Sequence, residues 1–189
     1  RESRSKKGCT RSFAEAEGGR FVHSANEKEL IAGVGTMALE IFDVLPDVEV
    51  IIAPVGGGSG ICGTALVAKE RSAQVEIIAV QSQQAPACYR AWKERRLDVE
   101  APMLCMHEGI ATRVPFEMTT SMMWELVDEF VLVEDAEIDA ALCLLAEKAK
   151  LVAEGAGAAA LAAALMRRPQ LRGKKVVGIL SGGNVPLPR

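Results

Sequence analysis

The 189-residue sequence is poor in aromatic residues, lacks a long apolar run and carries a net charge close to zero. Aromatic residues make up 4% of the chain, too few for the stacking surface that binds single-stranded nucleic acids. The longest run of small apolar residues, 156–166, is shorter than the roughly 18 residues that would indicate a membrane span. A net charge of −3 argues against a general binder of phosphate backbones. We therefore expect neither a nucleic-acid partner nor a membrane attachment.

The cysteines follow no metal-binding or disulfide pattern. They stand at positions 9, 62, 88, 105 and 143, an odd number without the close spacing of a zinc site or a CxxC motif. Free thiols are typical of a reducing compartment. The basic N-terminus is not followed by the apolar segment of a secretory signal. Together these features predict a cytoplasmic protein.

The charge is distributed unevenly along the chain. Residues 1–12 carry a net charge of +4 and the remainder carries −7. The basic segment also lacks apolar periodicity, so we expect a disordered leader or a truncation junction there. A nucleic-acid-binding arm is the weaker alternative.

From residue 13 onward, short apolar runs alternate with helical patterns. β-branched runs predict strands at 48–55, 75–80, 130–133 and 174–180. Apolar residues at helical spacing predict helices at 30–45, 61–71, 85–96, 119–127, 135–151 and 154–167. The alternation predicts an α/β fold, a mostly parallel sheet with helices on both faces.

Two glycine-rich turns follow predicted strands, at 56–60 and 181–184. Glycines allow successive backbone N–H groups to face one ligand, and a helix N-terminus adds positive potential, so a phosphate suits the first turn. A plain tight turn is a comparable interpretation. Residues 58–63 also match the dinucleotide motif GxGxxG, but Gln81 stands where the ribose-binding acid belongs. The hydroxyl of Ser181 at the second turn suits a ring nitrogen, and both turns together suit pyridoxal phosphate.

Four ordered segments, 33–41, 51–63, 151–165 and 176–185, together with residues 107–112, resemble the fold-type II pyridoxal-phosphate enzymes. The similarity is to the threonine/serine dehydratase and serine racemase group, and it covers Phe21 to the C-terminus. It implies that residues 13–189 form part of the large cofactor-binding domain of such an enzyme.

The resemblance also implies roles for individual residues. The backbone N–H groups of one set would cradle the cofactor phosphate: Gly56, Gly57, Gly58, Ser59 and Gly60. Gly109 would lie against the ring edge, Ser181 would face the pyridine nitrogen, and Glu154 would lie near the cofactor. For Glu154, a carboxylate favoured by the helix dipole is the alternative interpretation.

The reaction implied is β-elimination from a hydroxy-amino acid such as threonine or serine, giving a 2-oxo acid and ammonia. Serine racemase and hydroxyaspartate ammonia-lyase remain alternatives, as do an NAD(P) oxidoreductase and a catalytically silent partner domain. Members of this group are commonly homo-oligomers, so the resemblance implies a homo-oligomer for the full-length protein.

Three departures from the group qualify these expectations. The segment with the Schiff-base lysine is not recognisable here, so we assign no catalytic residue and expect a C-terminal fragment that is inactive alone. Gln81 and Ala87 stand where racemase-like members carry metal-binding carboxylates, so we expect no divalent metal site. A monovalent cation bound by backbone carbonyls is the alternative left open. For His107 and Cys62 we expect a surface loop position and a packed thiol.

Overall fold

A computed structural model describes residues 10–185 of the chain, which form a four-stranded sheet flanked by helices. The strands are β1 (Val50–Pro54), β2 (Glu76–Ser82), β3 (Glu129–Val133) and β4 (Val176–Gly178). All neighbouring strands are parallel, and their order across the sheet is β3-β2-β1-β4. The four predicted strands are confirmed, although β4 is shorter than the apolar run that predicted it.

The helices fill the connections between the strands. They are α1 (Lys28–Val34), α2 (Thr36–Val44), α3 (Ser59–Arg71), α4 (Ala87–Glu94), α5 (Glu117–Leu126), α6 (Asp135–Leu144), α7 (Gly155–Met166) and α8 (Arg168–Leu171). A 3₁₀-helix at Glu108–Ile110 and a π-helix at Leu145–Ala149 complete the set, and residues 10–16 are also helical. None of the helices within residues 10–185 has the length and apolar character needed to cross a membrane.

Successive residues of the strands pack into two separate cores, one on each face of the sheet. Ile51 and Ile77 lie in the core formed with α1 to α5, whereas Ile52 and Ile78 lie in the core formed with α6 and α7. The alternation follows from the two-residue period of a strand. Both faces are therefore covered, which confirms the predicted α/β fold with helices on both faces.

The predicted helix at 30–45 is wrong as a single element, because the chain divides at Gly35 into α1 and α2. Close backbone packing explains the break. A Cβ at Gly35 would lie 3.2 Å from the Gly63 oxygen in α3, and a Cβ at Gly63 would overlap the Ile31 oxygen. The three helices touch through their backbones at this point, a contact that the apolar spacing of the sequence does not reveal.

Two further boundaries differ from the expectation. The predicted helix at 135–151 changes to the π-helix after Leu144 and ends at Lys150, whose φ of 59° is left-handed. Residues 10–12, expected to be disordered, belong to the helix at 10–16. The Arg11 guanidinium lies 5.7 Å from the centre of the Phe21 ring, which anchors this helix to the following segment. Residues 1–9 of the predicted leader lie outside the described residues.

The strand order brings the carboxyl ends of β1 and β4 together at one end of the sheet. The chain runs from β1 through β2 to β3 in one direction, then returns along α6 and α7 on the other face to β4, beside β1. The connection that leaves β1 leads to β2, away from β4, so the strand order changes direction between β1 and β4, and the carboxyl ends of these two strands form a topological switch point. Ligands of open parallel sheets bind at such points. Residues 56–60 and 181–184, the two predicted turns, meet here.

Candidate functional site

A cavity of about 190 Å³ lies at the carboxyl ends of β1 and β4. Its lining consists of Pro54, Gly56, Gly57, Gly58, Ser59, Gly60, Gly109, Ile110, Ala156 and Ser181. The structure thus brings seven of the eight predicted site residues together around one space. The eighth, Glu154, lines an adjoining cavity of about 480 Å³ that shares Gly109 and Ala156 with the first.

The turn at 56–60 presents backbone N–H groups without acceptors. Among residues 10–185, none accepts a hydrogen bond from the N–H of any residue in this turn. The carbonyls are held instead: Thr119 Oγ1 donates to the Gly57 oxygen at 2.7 Å, and Thr112 Oγ1 donates to the Gly56 oxygen at 3.3 Å. Five adjacent N–H donors, those of residues 56–60, therefore remain for a ligand. Such a group of free donors is the arrangement of an anion-binding loop.

Two glycines of the turn are required by its geometry. Gly58 has a φ of 93°, in the left-handed region, and a Cβ there would lie 2.8 Å from the Cβ of Thr119. A Cβ at Gly56 would overlap the Gly109 oxygen. Gly60 differs, because a Cβ there would meet no heavy atom within 4 Å although the residue lines the cavity. The space beside Gly60 is open.

The electrostatics of the turn favour an anion. Helix α3 begins at Ser59 and carries no acidic residue in its first turn, and the lining of the smaller cavity contains no carboxylate. The positive end of the helix dipole therefore acts together with the free N–H groups. A phosphate group fits these residues in size, charge and hydrogen-bonding capacity.

Glu154 connects the two sides of the site. Its N–H donates to the Gly182 oxygen at 3.1 Å, and its Oε2 accepts a hydrogen bond from the Asn184 N–H at 3.2 Å. A Cβ at Gly182 would lie 2.6 Å from Glu154 Oε1. Glu154 is the N-cap residue of α7, yet its side chain makes no capping hydrogen bond. The carboxylate therefore holds the 182–184 turn that follows Ser181.

The loop before Gly109 is anchored by Asp135, a residue that the sequence analysis did not single out. Asp135 accepts hydrogen bonds from the Met106 N–H and from Ser82 Oγ, both at 3.0 Å. Burial acts to raise the pKa of Asp135, but hydrogen bonds from Met106, Cys105 and Ser82 outweigh burial and hold that pKa below its usual value. Asp135 begins α6, and its partners are far away in sequence, so no local pattern marks it.

His107 lies less exposed than the expected surface loop position. Its side chain is 11% exposed, with Nε2 3.5 Å from an Asp139 carboxylate oxygen. The ring packs against Gly155 at the start of α7, where a Cβ would overlap it. His107 therefore fixes the loop that carries Gly109 against the helix that carries Ala156.

The packed-thiol prediction for Cys62 is confirmed. This side chain is 1% exposed, and its thiol donates to the Thr119 oxygen at 3.3 Å. Burial raises the pKa of the Cys62 thiol to about 12, an effect that outweighs the helix N-terminus beside it. Cys62 therefore packs under the turn as a neutral group.

Gln81 is fully buried at the end of β2 and has an internal role. Its Nε2 donates to Thr112 Oγ1 at 2.8 Å, and its Oε1 accepts the Tyr89 N–H at 3.1 Å. The same Thr112 holds the Gly56 carbonyl. Gln81 thus supports the turn from behind, and it is not available as the ribose ligand of a dinucleotide. The expected lack of a divalent metal at this position stays a prediction.

Lysines of the described part of the chain lie away from both cavities. None of them lines either one. Lys69 pairs with Asp128 at 2.7 Å and Lys174 with Glu76 at 2.8 Å, on other surfaces. Residues 10–185 therefore place no amine beside the phosphate-sized cavity.

Comparison with known proteins gives one family and two kinds of relative. A family model described as "Pyridoxal-phosphate dependent enzyme" matches residues 2–182, so the similarity begins upstream of Phe21. The chain is 40% identical over 171 residues to an L-threonine ammonia-lyase of Thermotoga maritima, covering 90% of this chain and 42% of the relative. It is 38% identical over 180 residues to a catabolic L-threonine dehydratase of Staphylococcus aureus, covering 94% and 52%. The chain thus spans about half the length of these relatives.

Solved structures show the same fold. The maize serine racemase superposes with a TM-score of 0.89 and 29% identity over 97% of this chain and 58% of that chain. A threonine deaminase of T.th. superposes with a TM-score of 0.87 and 30% identity over 95% of this chain and 66% of that chain.

Proposed function

The chain belongs to the family of pyridoxal-phosphate-dependent enzymes, and from this premise we propose that it forms the cofactor-binding part of an ammonia-lyase acting on threonine or serine. One observation supports the proposal above all. Five N–H groups without acceptors lie at the start of α3, in a cavity that also contains Ser181 and Gly109. These residues fit the phosphate and the ring of pyridoxal phosphate.

The turn at 56–60 would hold the phosphate through its backbone N–H groups and the N-terminus of α3. Bound pyridoxal phosphate supplies an electron sink for the negative charge that develops at the substrate α-carbon. Ser181 would meet the ring nitrogen with a neutral hydroxyl, which leaves that nitrogen largely unprotonated. β-Elimination tolerates a ring in this state.

The remaining predicted residues would shape the space for the ring. A Cβ at Gly109 would lie 2.6 Å from the Cβ of Ala156, so this loop packs tightly on α7 and leaves a flat wall. Glu154 would keep Ser181 in place through the following turn, because its carboxylate accepts the Asn184 N–H and its backbone bonds to Gly182. In this proposal Glu154 both holds the 182–184 turn in place and would lie near the cofactor.

The proposed reaction is loss of the β-hydroxyl and the α-proton from the amino acid, followed by hydrolysis to a 2-oxo acid and ammonia. The relatives at 38–40% identity carry threonine lyase and dehydratase names, and these names support ammonia release. Racemisation stays the alternative, because the threonine deaminase and serine racemase structures are 30% and 29% identical to this chain. Hydroxyaspartate is the alternative substrate for the same reaction. Family membership gives the NAD(P) oxidoreductase alternative no support.

We further propose that the amine needed for turnover comes from outside residues 10–185. The described lysines lie away from the site, and Lys6 and Lys7 fall in the polar basic segment. The chain alone should therefore bind pyridoxal phosphate without sustained release of ammonia. Sustained release from threonine by the purified chain would contradict this part of the proposal.

A chimera tests the activity itself. The upstream part of the Thermotoga maritima ammonia-lyase, up to where its match begins, is joined to this chain. We expect the chimera, supplied with pyridoxal phosphate, to convert threonine to 2-oxobutyrate and ammonia. Its Gly60→Asp variant should lose this activity while Gly60→Asn retains most of it. A folded chimera that binds the cofactor but leaves threonine and serine unchanged would contradict the proposed reaction.

A further inference from the structure

Glycine gives the turn at 56–60 a freedom that a binding site has to restrict. A peptide unit between two glycines can rotate at little cost, because neither residue has a Cβ that limits φ and ψ. Rotation of the unit between Gly57 and Gly58 would turn the Gly58 N–H away from the cavity that this residue lines. The turn therefore binds a phosphate well only if groups outside it fix the direction of its peptide units beforehand.

The Thr119 hydroxyl fixes one of these units. Thr119 Oγ1 donates to the Gly57 oxygen at 2.7 Å. The peptide bonds of residues 10–185 are all trans, so the Gly57 oxygen and the Gly58 N–H point in opposite directions from one rigid plane. Because Thr119 holds the oxygen toward α5, the Gly58 N–H points away from α5. No residue of α5 lines the cavity.

The hydroxyl of Thr119 bonds to the turn in preference to its own helix. Threonine hydroxyls in helices often bond to a carbonyl three or four residues earlier. That carbonyl belongs to Phe116 and lies 3.4 Å from Thr119 Oγ1, whereas the Gly57 oxygen lies at 2.7 Å. Only the shorter distance is typical of a strong hydroxyl hydrogen bond. Thr119 therefore uses its single donor on the turn.

Thr119 is itself held in a fixed position. The residue is fully buried, and its carbonyl accepts a hydrogen bond from the Cys62 thiol at 3.3 Å. A Cβ at Gly58 would lie 2.8 Å from the Cβ of Thr119, so no space separates the two residues. At the start of α5, the Met118 N–H donates to Asn26 Oδ1 at 3.2 Å. The hydroxyl therefore acts on the turn from a rigid part of the fold.

The preceding peptide unit is held in the same way, although less tightly. Thr112 Oγ1 donates to the Gly56 oxygen at 3.3 Å, and the Gly57 N–H belongs to that same unit. Thr112 in turn accepts a hydrogen bond from Gln81 Nε2 at 2.8 Å. Two threonines from different segments thus direct two successive N–H groups of the turn. The bond from Thr119 is the shorter of the two, so we expect it to have the larger effect.

We propose that Thr119 is a positioning residue of the cofactor site, whose hydroxyl aims the Gly58 N–H at the phosphate of pyridoxal phosphate. This role rests on the proposed function, because the proposed function places the phosphate at the turn. Thr119 does not line the cavity, so it acts only through Gly57 and Gly58. Loss of its hydroxyl should weaken the part of the affinity that comes from the phosphate and leave the rest unchanged.

Calorimetric titration of Thr119→Val with pyridoxal phosphate and with pyridoxal tests this role. Valine has nearly the shape of threonine without the donor. We expect the affinity for pyridoxal phosphate to fall roughly three- to tenfold, as the loss of one hydrogen bond predicts, and the affinity for pyridoxal to stay unchanged. Thr119→Ser keeps the hydroxyl and should restore the affinity of the wild type. A general loosening of the fold would instead weaken the binding of both compounds.

Thr120→Val is the matched control. Thr120 is the next residue and is equally buried, but its hydroxyl has no hydrogen-bond partner among residues 10–185. The ratio of its affinities for the two compounds should equal that of the wild type.

Two outcomes separate this role from the proposed function. A Thr119→Val variant that keeps the wild-type ratio of affinities would overturn the role of Thr119 alone. A wild type that binds pyridoxal as tightly as pyridoxal phosphate would contradict the proposed function as well. If Thr119→Val does not fold, Thr119→Ala takes its place, because alanine removes the same donor and needs less space. An unchanged ratio in that variant would overturn the role equally.

Discussion

Gly60 offers a substitution that should separate ligand binding from stability. The residue lies in the first turn of α3, lines the phosphate-sized cavity, and has no heavy atom within 4 Å of the position of a Cβ. In Gly60→Asp, the new side chain therefore enters open space beside the free N–H groups. It places a negative charge where the account places a phosphate.

The expected effects of Gly60→Asp on the affinity for the cofactor and on the stability of the fold have opposite signs. A pair of unit charges about 4 Å apart interacts by about 1 kcal/mol in water and about 4 kcal/mol at an effective dielectric constant of 20. A phosphate ester carries about −1.5 to −2 charges, so repulsion should cost at least about 2 kcal/mol, or roughly 30-fold in affinity. The unfolding free energy should instead rise by up to about 1 kcal/mol, because a helical glycine is lost and a carboxylate joins a helix N-terminus.

The affinity for pyridoxal phosphate is measured by calorimetric titration of the chain. The unfolding free energy of the same samples is measured by urea denaturation. Gly60→Asn is the matched control, since asparagine has nearly the same size without the charge. We expect the asparagine variant to bind roughly 30 times more tightly than the aspartate variant, because the two differ mainly in the charge. Equal affinities would refute the electrostatic role of the turn. A loss of stability in both variants would refute the open space at Gly60.

Three other substitutions or treatments have definite expected outcomes. Gly157→Ala would make a Cβ overlap the backbone oxygen of Gly182 and should lower the unfolding free energy by about 1–3 kcal/mol in urea denaturation, and an unchanged value would contradict the tight packing of α7 on this turn. The folded-state pKa of Asp135 lies below its unfolded value, so its stabilisation is present at neutral pH and is lost as the pH falls through the folded-state pKa. The stability difference between the wild type and Asp135→Asn should therefore be constant from pH 7 to 5 and shrink below about pH 4, whereas a difference that grows there would be inconsistent with this sign. The pKa of about 12 for Cys62 predicts slow alkylation of the native protein at pH 8, with the exposed Cys143 reacting first, and peptide mass spectrometry showing equal labelling would contradict it.

Much of the sheet follows from local patterns in the sequence. The apolar runs predicted all four strands, and the turn at 56–60 was predicted beside Ser181 because parallel strands share their carboxyl edge. These features depend on residue type and spacing within a few neighbours. The strands could be predicted because a strand covered on both faces needs an unbroken apolar run.

Contacts between segments that are distant along the chain could not be predicted from the sequence. The break at Gly35 depends on backbone packing against Gly63 and Ile31, which no periodicity records. Asp135 holds Met106 and Ser82, residues 29 and 53 positions away. Each of these features depends on partners that lie far away along the chain.

The central claim is that the N–H groups at 56–60 bind the phosphate of pyridoxal phosphate. Titration of ¹⁵N-labelled protein, followed by the chemical shifts of its backbone amides, tests it most directly. Pyridoxal phosphate should shift the amides of this turn, and pyridoxal without the phosphate should leave them nearly unchanged. Equal shifts with both compounds, or shifts confined to other parts of the protein, would contradict the assignment.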